Sequence, residues 1–409
     1  MISSQGQRRI ALVTAFPPGH QSLNEYGFHL VKAFAARPDV AEVVVIADRL
    51  PAPSDELDLG PKVRVERIWD FNAPGTSLKI VGALRREQVD GAIFNVQMAT
   101  FGDRELPAAL GLFAPVAARV CGTPTGVIAH NLISGIDLDK TTMSGQRLRQ
   151  ALVRFGGRIV TRALLGANYL TVTLESYHDA LTRTYPRAKV HHVPHGTFDT
   201  ERRTLTPARA RPLRLVTLGK FGTYKRLETL IAAFRILKRM PEYRNLELVI
   251  GGSDHPATPG YLAGVAADNS HEAGLSFQGY VAEDDIPAFF GAARVSVFDY
   301  SATTGSSGVL HQTASYGAAP VFPQIGDFVD VCQNEGLTGA NYPVGDAAGM
   351  AEAIHLLLND PDAADRLAAA NREAALGMPI SQVADIHMRH LSALWRNAPG
   401  RGLGQSRAA

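Results

Sequence analysis

The chain has 409 residues, of which 45% are hydrophobic and 20% are charged, as is usual for a soluble globular protein of two or three domains. Lysine and arginine number 41 and aspartate and glutamate 39, so the net charge of +2 excludes a polycation that coats nucleic acid, and we expect no nucleic-acid partner. Two cysteines, Cys121 and Cys332, are too few for a disulfide scaffold or a zinc module and fit a reducing compartment.

Short runs rich in Val, Ile and Ala alternate with longer helical patterns in the first half of the chain. The predicted strands are 10–15, 42–47, 63–68, 91–96, 125–129 and 169–173, and the predicted helices are 25–36, 78–86, 107–120, 144–165 and 176–184. Continuous apolar strands separated by helices indicate a parallel sheet that is covered on both faces. The pattern therefore predicts a doubly wound α/β domain.

The same alternation starts again after residue 212. The predicted strands are 213–218, 246–250, 275–278, 295–298 and 320–322, and the predicted helices are 226–240, 259–272, 284–292, 309–316, 347–358 and 362–374. This pattern predicts a second α/β domain of the same kind, followed by an amphipathic helix near 382–395.

The sequence divides into five parts. Residues 1–200 are expected to form the first α/β domain, 201–212 a linker rich in Arg and Pro, and 213–380 the second domain. Residues 381–399 are expected to pack back on the first domain as a helix, and 400–409 to form a tail.

No targeting or membrane-spanning pattern is visible in the sequence. The apolar run 10–16 is too short for a signal core, and the longest apolar stretch, 106–118, contains two prolines and is too short to span a bilayer. We therefore expect a cytoplasmic protein. Five arginines in the helix 144–165 leave a peripheral membrane contact open beside the simpler interpretation of a solvated helix face.

Two doubly wound domains place two sets of strand carboxyl ends across a cleft, where ligands of such folds bind. Helix N-termini at these edges offer N–H groups that suit phosphate. Two loops of the first domain lie at such positions. Gly19, after the first strand, allows a close approach of the backbone to a ligand, and His130, after the strand 125–129, is placed to bind a sugar hydroxyl or to take a proton.

Two loops of the second domain carry the strongest signals. Lys220 and Lys225 flank a glycine-containing turn after the strand 213–218, so both ammonium groups can converge on a diphosphate and stabilise it as a leaving group. The segment 300–308 is small, polar and rich in glycine, and its backbone amides and hydroxyls can face the cleft. The sequence has no spacing typical of metal ligands.

The order of these motifs resembles the GT-B glycosyltransferases, in particular the large retaining group known as family 4 or group 1. The similar segments are Phe16-Pro-Pro-Gly19, His130-Asn131, Val193-Pro-His-Gly196, Gly219-Lys220 through Lys225, Phe277-Gln-Gly-Tyr-Val281, and Ile286-Pro with Ala292-Ala-Arg-Val295. The resemblance implies a nucleotide base near the loop 277–281. It also implies a GT-B fold with two Rossmann-like domains that face a central cleft.

The chain departs from the family at the E-x(7)-E signature. In one alignment the two glutamate positions fall on Gly305 and Thr313, and in the other on Thr304 and Gln312. In the family the second glutamate holds the ribose hydroxyls and the first touches the donor sugar. Here an uncharged Gln312 or Thr313 would hold the ribose more weakly, and Ser306 and Ser307 would contact the sugar or the phosphate.

These observations predict a metal-independent transfer of a sugar from a nucleotide diphosphate sugar to an acceptor hydroxyl, with retention of configuration if the family analogy holds. The acceptor is expected to be a small molecule, a glycan or a lipid-linked molecule, no further cofactor is expected, and the oligomeric state is not indicated. The predicted catalytic residues are His130, Lys220 and Lys225, and the predicted donor-binding residues are Gly19, Gly219, Phe277, Gly279, Tyr280, Thr304, Gly305, Ser306, Ser307, Gly308, Gln312 and Thr313. A sugar-nucleotide epimerase, a phosphorylase or a non-catalytic binding protein on the same fold are the alternatives.

Overall fold

The computed structural model describes residues 6–19, 21–52, 54–132, 147–302 and 305–397, without the side chains of 147–150, 152 and 153. These residues form two lobes, each built on one parallel sheet with helices on both faces. This arrangement confirms the predicted doubly wound α/β architecture.

The first lobe contains a seven-stranded parallel sheet with the order β3-β2-β1-β4-β5-β6-β7. Its strands are β1 (Arg8–Val13), β2 (Val40–Asp48), β3 (Val63–Trp69), β4 (Gly91–Val96), β5 (Thr125–Ala129), β6 (Tyr169–Val172) and β7 (Val190–His192). All six residues of β4 are buried, because a central parallel strand is covered on both faces. The strand order reverses between β1 and β4, which is where a doubly wound sheet opens a crevice for ligands.

The second lobe contains a six-stranded parallel sheet with the order β10-β9-β8-β11-β12-β13. Its strands are β8 (Arg214–Phe221), β9 (Glu247–Asp254), β10 (Leu275–Gly279), β11 (Val295–Val297), β12 (Ala319–Pro323) and β13 (Ala340–Tyr342). Here the strand order reverses between β8 and β11, so this sheet has a second crevice at the carboxyl ends of these two strands.

Helices cover both sheets. They are α1 (Asn24–Ala35), α2 (Thr76–Arg86), α3 (Glu105–Gly111), α4 (Ala114–Val120), α5 (Arg147–Leu165), α6 (Glu175–Thr184), α7 (Glu228–Lys238), α8 (Tyr261–Asp268), α9 (Ile286–Gly291), α10 (Gly308–Tyr316), α11 (Gly326–Glu335), α12 (Ala347–Asn359), α13 (Pro361–Gly377) and α14 (Ile380–Arg396). Helix α14 packs on the first sheet, where Val383, Ala384 and Leu391 join the same apolar cluster as Leu30 and Phe34 of α1.

Several elements differ from the sequence prediction. The predicted helix 107–120 is two helices, because Pro115 lacks an N–H and starts α4 instead of continuing α3. Strands β7 and β13 have three residues each, too few to show a period in the sequence. Helix α11 was not predicted at all, and it lies against the first lobe, where Asp330 accepts hydrogen bonds from the backbone N–H groups of Glu175 and Ser176.

The two lobes share apolar contacts. One cluster of buried side chains contains Leu174 and Tyr177 of the first lobe together with Phe298, Phe328 and Val331 of the second. The carboxyl ends of the two sheets therefore face each other across a groove that is closed on one side by packed side chains.

Candidate functional site

Strand β8 extends further than the sequence predicted. It ends at Phe221, not at Leu218, so Gly219 and Lys220 belong to the strand and pair with Gly252 and Ser253 of β9. The two glycines allow this close pairing, since a Cβ atom on Gly252 would lie 1.9 Å from the carbonyl oxygen of Gly219. Lys220 is therefore held by the sheet and does not belong to a loose turn.

The predicted lysines come together at the carboxyl end of β8. The Nζ atom of Lys225 lies 4.5 Å from the centre of the Tyr300 ring, in a cation–π contact. Burial opposes the charge on Lys225, but Tyr300 and Tyr224 raise its pKa above the usual value. Burial lowers the pKa of Lys220, Glu25 of α1 raises it, and Lys225 lowers it, with a net downward shift. Lys220 is thus close enough to Glu25 of the first lobe and to Lys225 for the charges of both to act on it.

A histidine that can donate a hydrogen bond lies beside these lysines. His255 follows β9, and burial together with the charges of Lys220 and Lys225 lowers its pKa. Its Nδ1 accepts a hydrogen bond of 3.1 Å from the backbone N–H of Ala257, so the neutral ring carries its proton on Nε2. His255 was not predicted from the sequence, although the polar segment Ser-Asp-His after an apolar strand and two glycines was a usable signal. We call Lys220, Lys225 and His255 the lysine edge.

The loop before α10 lies between the lobes. Gly305 has a φ of +120°, and a Cβ atom there would lie 2.1 Å from the carbonyl oxygen of His130. Its N–H donates a hydrogen bond of 2.6 Å to Asp327, so the expectation that this amide faces a ligand is wrong. Ser307 caps α10, where its side chain accepts from the N–H of Leu310, and Gly308 starts the helix. Thr304 lies outside the described residues.

Both candidate residues at the second motif position are buried. Thr313 is fully buried and its hydroxyl donates to the Ser296 hydroxyl at 3.1 Å, so its prediction as a donor-binding residue is wrong. Gln312 is also largely buried, at 9% exposure. Thr313 is buried because α10 packs on the strand that carries Ser296, and a helix of regular period cannot turn adjacent residues to the same side.

The two aromatic residues predicted to bind the donor at the end of β10 and in the loop after it, Phe277 and Tyr280, differ in exposure. Phe277 is half-buried and packs against the apolar core of the second lobe. Tyr280 is 57% exposed, and burial, Glu25 and Glu283 together raise its pKa, so its ring lies near the first lobe. Gly279 precedes it with a φ of +74°, which lets the chain turn out of the sheet. The tyrosine, and not the phenylalanine, is the aromatic surface that this loop offers to the groove.

Gly19 shapes a turn. Its N–H donates to the carbonyl oxygen of Phe16 at 3.2 Å, and its own carbonyl oxygen accepts from the side chain of Asn24 at 2.5 Å. A Cβ atom there would lie 3.0 Å from the Phe16 oxygen and 3.3 Å from Asp48 Oδ2. The Gly19 N–H is already used within the turn, so the predicted role of Gly19 in donor binding stays a prediction that would rest on close approach of the backbone and not on this donor.

His130 lies at the end of β5, as predicted, and is buried. Its Nε2 lies 2.7 Å from Oδ1 of Asn95. The amide nitrogen of Asn95 donates to Thr14, so its Oδ1 is the acceptor and His130 Nε2–H the donor of this hydrogen bond. Burial, and secondarily His195, hold the pKa of His130 well below its usual range. Of the two roles predicted for His130, the low pKa favours the hydrogen bond to a sugar hydroxyl over proton transfer near neutral pH.

Around His130 lies a cluster of neutral polar side chains that the sequence analysis did not identify. The Tyr26 ring meets His130 and His195 edge-on at centroid distances of 4.5 and 4.8 Å, and His195 stacks on His311 at 5.0 Å. Burial lowers the pKa of His195 to about 4 and that of His311 well below its usual value. Glu335 of α11 completes the cluster, with its Oε2 3.3 Å from Nε2 of His311. We call Tyr26, His130, His195, His311 and Glu335 the histidine floor.

Part of the predicted basic stripe lies on the solvent side of α5. Arg154, Arg158 and Arg162 are exposed there, next to Phe155 and Ile159, which are 62% and 41% exposed. The side chains of Arg147 and Arg149 lie outside what the structure describes. Within the described ranges, no helix is both long and apolar enough to cross a bilayer, and no three His, Cys, Asp or Glu side chains are arranged to hold a metal ion.

The second lobe matches a known family, and the whole chain matches known folds. Residues 212–360 match the family described as Glycosyl transferases group 1. The chain superposes on sucrose-phosphate synthase from Thermosynechococcus elongatus with 19% identity and a TM-score of 0.74, over 96% of this chain and 100% of that one. No match was found among curated proteins.

Two further solved structures have the same fold at lower identity. Anabaena HepE in complex with UDP and glucose matches with 14% identity and a TM-score of 0.66, over 95% of this chain and all of that chain. The second is an α,α-trehalose-phosphate synthase (UDP-forming) from Burkholderia xenovorans in complex with glucose-6-phosphate. It matches with 12% identity and a TM-score of 0.65, over 94% of this chain and 100% of that chain. The chain therefore has the two-sheet fold of these solved structures, and its second lobe carries a match to the group 1 glycosyl transferases over residues 212–360.

Proposed function

We propose that this enzyme moves a hexosyl group from a nucleoside diphosphate sugar to an acceptor hydroxyl, with retention of configuration and without a metal ion. The observation that carries the proposal is the convergence of Lys220 and Lys225 at the carboxyl end of β8, where the second sheet reverses its strand order. Two cations at the ligand-binding edge of a doubly wound sheet suit a diphosphate better than any neutral ligand.

The reaction breaks the bond between the anomeric carbon and the diphosphate oxygen, and the bonding electrons stay with the diphosphate. Lys220 and Lys225 stabilise the charge that develops there, and the Nε2–H of His255 adds a hydrogen bond. The transition state has oxocarbenium character at the sugar ring. The lobes cover the sugar and keep water away from it.

Retention is proposed from the likeness to the retaining group 1 enzymes. The acceptor oxygen would attack from the side on which the diphosphate leaves, and the acceptor proton would pass to a leaving-group oxygen. His130 is neutral and bonded to Asn95, so its role is to contact the donor sugar and not to carry this proton. Metal independence is proposed because the lysine edge already supplies the positive charge that the diphosphate needs.

UDP-glucose is the first donor to test, because a HepE structure of the same fold contains it. For the acceptor, sugar phosphates come first, since a trehalose-phosphate synthase of this fold was solved with glucose-6-phosphate. Glycans and lipid-linked acceptors complete the panel. The exposed arginines of α5 with Phe155 and Ile159 support the lipid-linked class, because such a face suits an anionic membrane surface.

The test is release of nucleoside diphosphate from a panel of nucleotide sugars, with each acceptor and in the presence of EDTA. We expect release that depends on the acceptor, persists in EDTA and is strongly reduced in Lys220→Ala. The anomeric coupling constant of the product in NMR spectra then reports retention or inversion.

Two other results would replace the proposal. Tight binding of a nucleotide sugar without any release would indicate a binding protein, an alternative supported by the uncharged residues at both motif positions. A changed sugar without an acceptor would indicate an epimerase.

A further inference from the structure

Glu335 carries a buried carboxyl group that is not satisfied. Its side chain is 6% exposed, and among the described residues neither oxygen has a well-formed hydrogen bond, since Oε2 makes only the 3.3 Å contact with His311 and Oε1 has no partner. The hydroxyl of Tyr26, also in the histidine floor, is buried and unsatisfied in the same way. Leaving buried polar groups without partners costs free energy, so such a pair of groups is expected where a ligand supplies the missing hydrogen bonds.

These two groups lie where the lobes meet. Nε2 of His311 is 3.3 Å from Glu335 Oε2 and 3.4 Å from the hydroxyl of Ser306, in the loop before α10. Tyr26 comes from the first lobe, and Glu335 is close enough to raise its pKa, after the larger effect of burial. The carboxyl group is therefore next to the glycine-rich loop and faces the first lobe.

The histidine floor is polar but uncharged. Burial, and then Asp330, raise the pKa of Glu335 to about 8, while burial holds His311 in its neutral form. The contact between them thus joins two neutral groups and is not an ion pair. A protonated carboxyl group offers one donor and one acceptor, and the tyrosine hydroxyl can do both as well.

Uncharged donors and acceptors in a buried site match a polyhydroxylated ligand. A diphosphate is better served by the lysine edge, and a cation would need a charged carboxylate. The hydroxyl groups of a pyranose ring fit this combination of partners.

We propose that Glu335 and Tyr26 bind hydroxyl groups of the transferred sugar, so that α11 supplies the sugar-contacting carboxyl group that the motif position at Thr304 or Gly305 lacks. The inference rests on the proposed function, because the sugar reaches this floor only as part of a donor whose diphosphate lies on the lysine edge.

The test compares binding of UDP with binding of UDP-glucose, by calorimetry, in wild type, Glu335→Ala, Glu335→Gln and Tyr26→Phe. If a nucleotide sugar other than UDP-glucose gives the most nucleoside diphosphate in the donor panel, that nucleotide sugar and its nucleoside diphosphate replace UDP-glucose and UDP in this experiment. We expect Glu335→Ala to weaken the nucleotide sugar about 10- to 100-fold, the range for losing one or two hydrogen bonds, and to leave UDP within about twofold. Glu335→Gln should restore most of the affinity, since an amide also donates and accepts. Glu352→Gln, an exposed change on α12, is the matched control.

The stability of the ligand-free protein separates binding from a structural role. Removing an unsatisfied carboxyl group should leave the melting temperature of Glu335→Ala unchanged or raise it, whereas removing a structural group should lower it. If Glu335→Ala folds poorly, two other variants replace it. The affinity for UDP-glucose relative to UDP is then measured in Tyr26→Phe, and the pH dependence of UDP-glucose binding is measured in Glu335→Gln.

The outcomes distinguish the two proposals. Equal loss of UDP and UDP-glucose affinity, or no loss of either, would overturn the role of Glu335 while sugar transfer by the wild type stands. Wild-type protein that binds UDP-glucose more tightly than UDP through Glu335, yet never releases UDP, would support the sugar site and overturn the transferase proposal.

Discussion

The two sides of the groove have opposite electrostatic characters. The lysine edge collects two ammonium groups and a histidine at one sheet reversal, and the histidine floor collects five side chains that burial keeps neutral. One nucleotide sugar has the same two parts, an anionic diphosphate and an uncharged polyhydroxyl ring. The difference teaches that the two environments suit the two parts of the proposed donor, with the lysine edge supplied by the second lobe and the histidine floor by both lobes together.

Removing the charge of the lysine edge should have the largest effect. In Lys220→Ala or Lys225→Ala, kcat/KM for the nucleotide sugar should fall about 100- to 1,000-fold. This is the usual loss when a protein group that stabilises developing negative charge is removed. Steady-state kinetics measure this, and Lys79→Ala, an exposed lysine paired with Asp70 far along the first lobe, is the control. Activity within threefold of wild type in both variants would show that the diphosphate lies elsewhere.

Gly305→Ala breaks the junction between the loop and the floor. An alanine there must hold a φ of +120° and place its Cβ 2.1 Å from the His130 oxygen, so the loop and the end of β5 must separate. We expect kcat/KM to fall about 100-fold, since the backbone strain alone is on the order of 1–3 kcal/mol.

UDP affinity should change little in the same variant, because the lysine edge is untouched. Gly264→Ala is the control, since a Cβ on that helical glycine meets nothing within 4 Å. If Gly305→Ala lost UDP binding as strongly as activity, the loop would belong to the diphosphate side of the groove.

Acid should destabilise the floor before it affects the lysine edge. Burial lowers the pKa of His195 to about 4, so below pH 6.5 the unfolded chain binds a proton that the folded chain does not. The stability that this group contributes is complete above pH 6.5 and is lost as the pH falls towards 4, by up to about 1.4 kcal/mol per pH unit. Burial also lowers the pKa of three other histidines, which therefore reduce the free energy of unfolding in acid in the same way: His130, His311 and His387.

Glu335 acts in the opposite direction, because a carboxyl group with a pKa of about 8 loses folded-state stability as the pH rises from 4.5 to 8. Urea unfolding between pH 5 and 8 should therefore show a maximum near pH 6.5, with a steeper acid side. Glu335→Gln should remove the decline on the alkaline side. A free energy of unfolding that rises from pH 6.5 to 5 would contradict the neutral floor.

The smallest effect is expected at His255. Its Nε2–H supplies one hydrogen bond beside two full charges, so His255→Ala should weaken UDP and UDP-glucose equally, by about 10-fold. Calorimetry measures both affinities, and His271→Ala, an exposed histidine on the same lobe, is the control. A loss confined to UDP-glucose would place His255 on the sugar side instead.

The sequence alone determined the architecture and the position of the two lysines of the lysine edge. Most strands were predictable because a parallel strand that is buried on both faces is an uninterrupted apolar run. Lys220 and Lys225 were predictable because they follow one such run within a few residues, and the end of a strand fixes where its following residues lie. Even the error at Leu218 kept both lysines at the correct edge of the sheet.

The tertiary structure decided the histidine floor. Its five side chains come from five separate segments, and one of these, α11, shows only Phe328, Asp330 and Val331 buried in ten residues, too weak a period to predict a helix. The apolar pattern of a sequence reports which faces are buried, and it carries no information on which polar groups meet when two lobes pack. Gly19 and Thr313 were assigned to the ligand for the same reason, since only the folded chain shows that their hydrogen-bonding groups are already used.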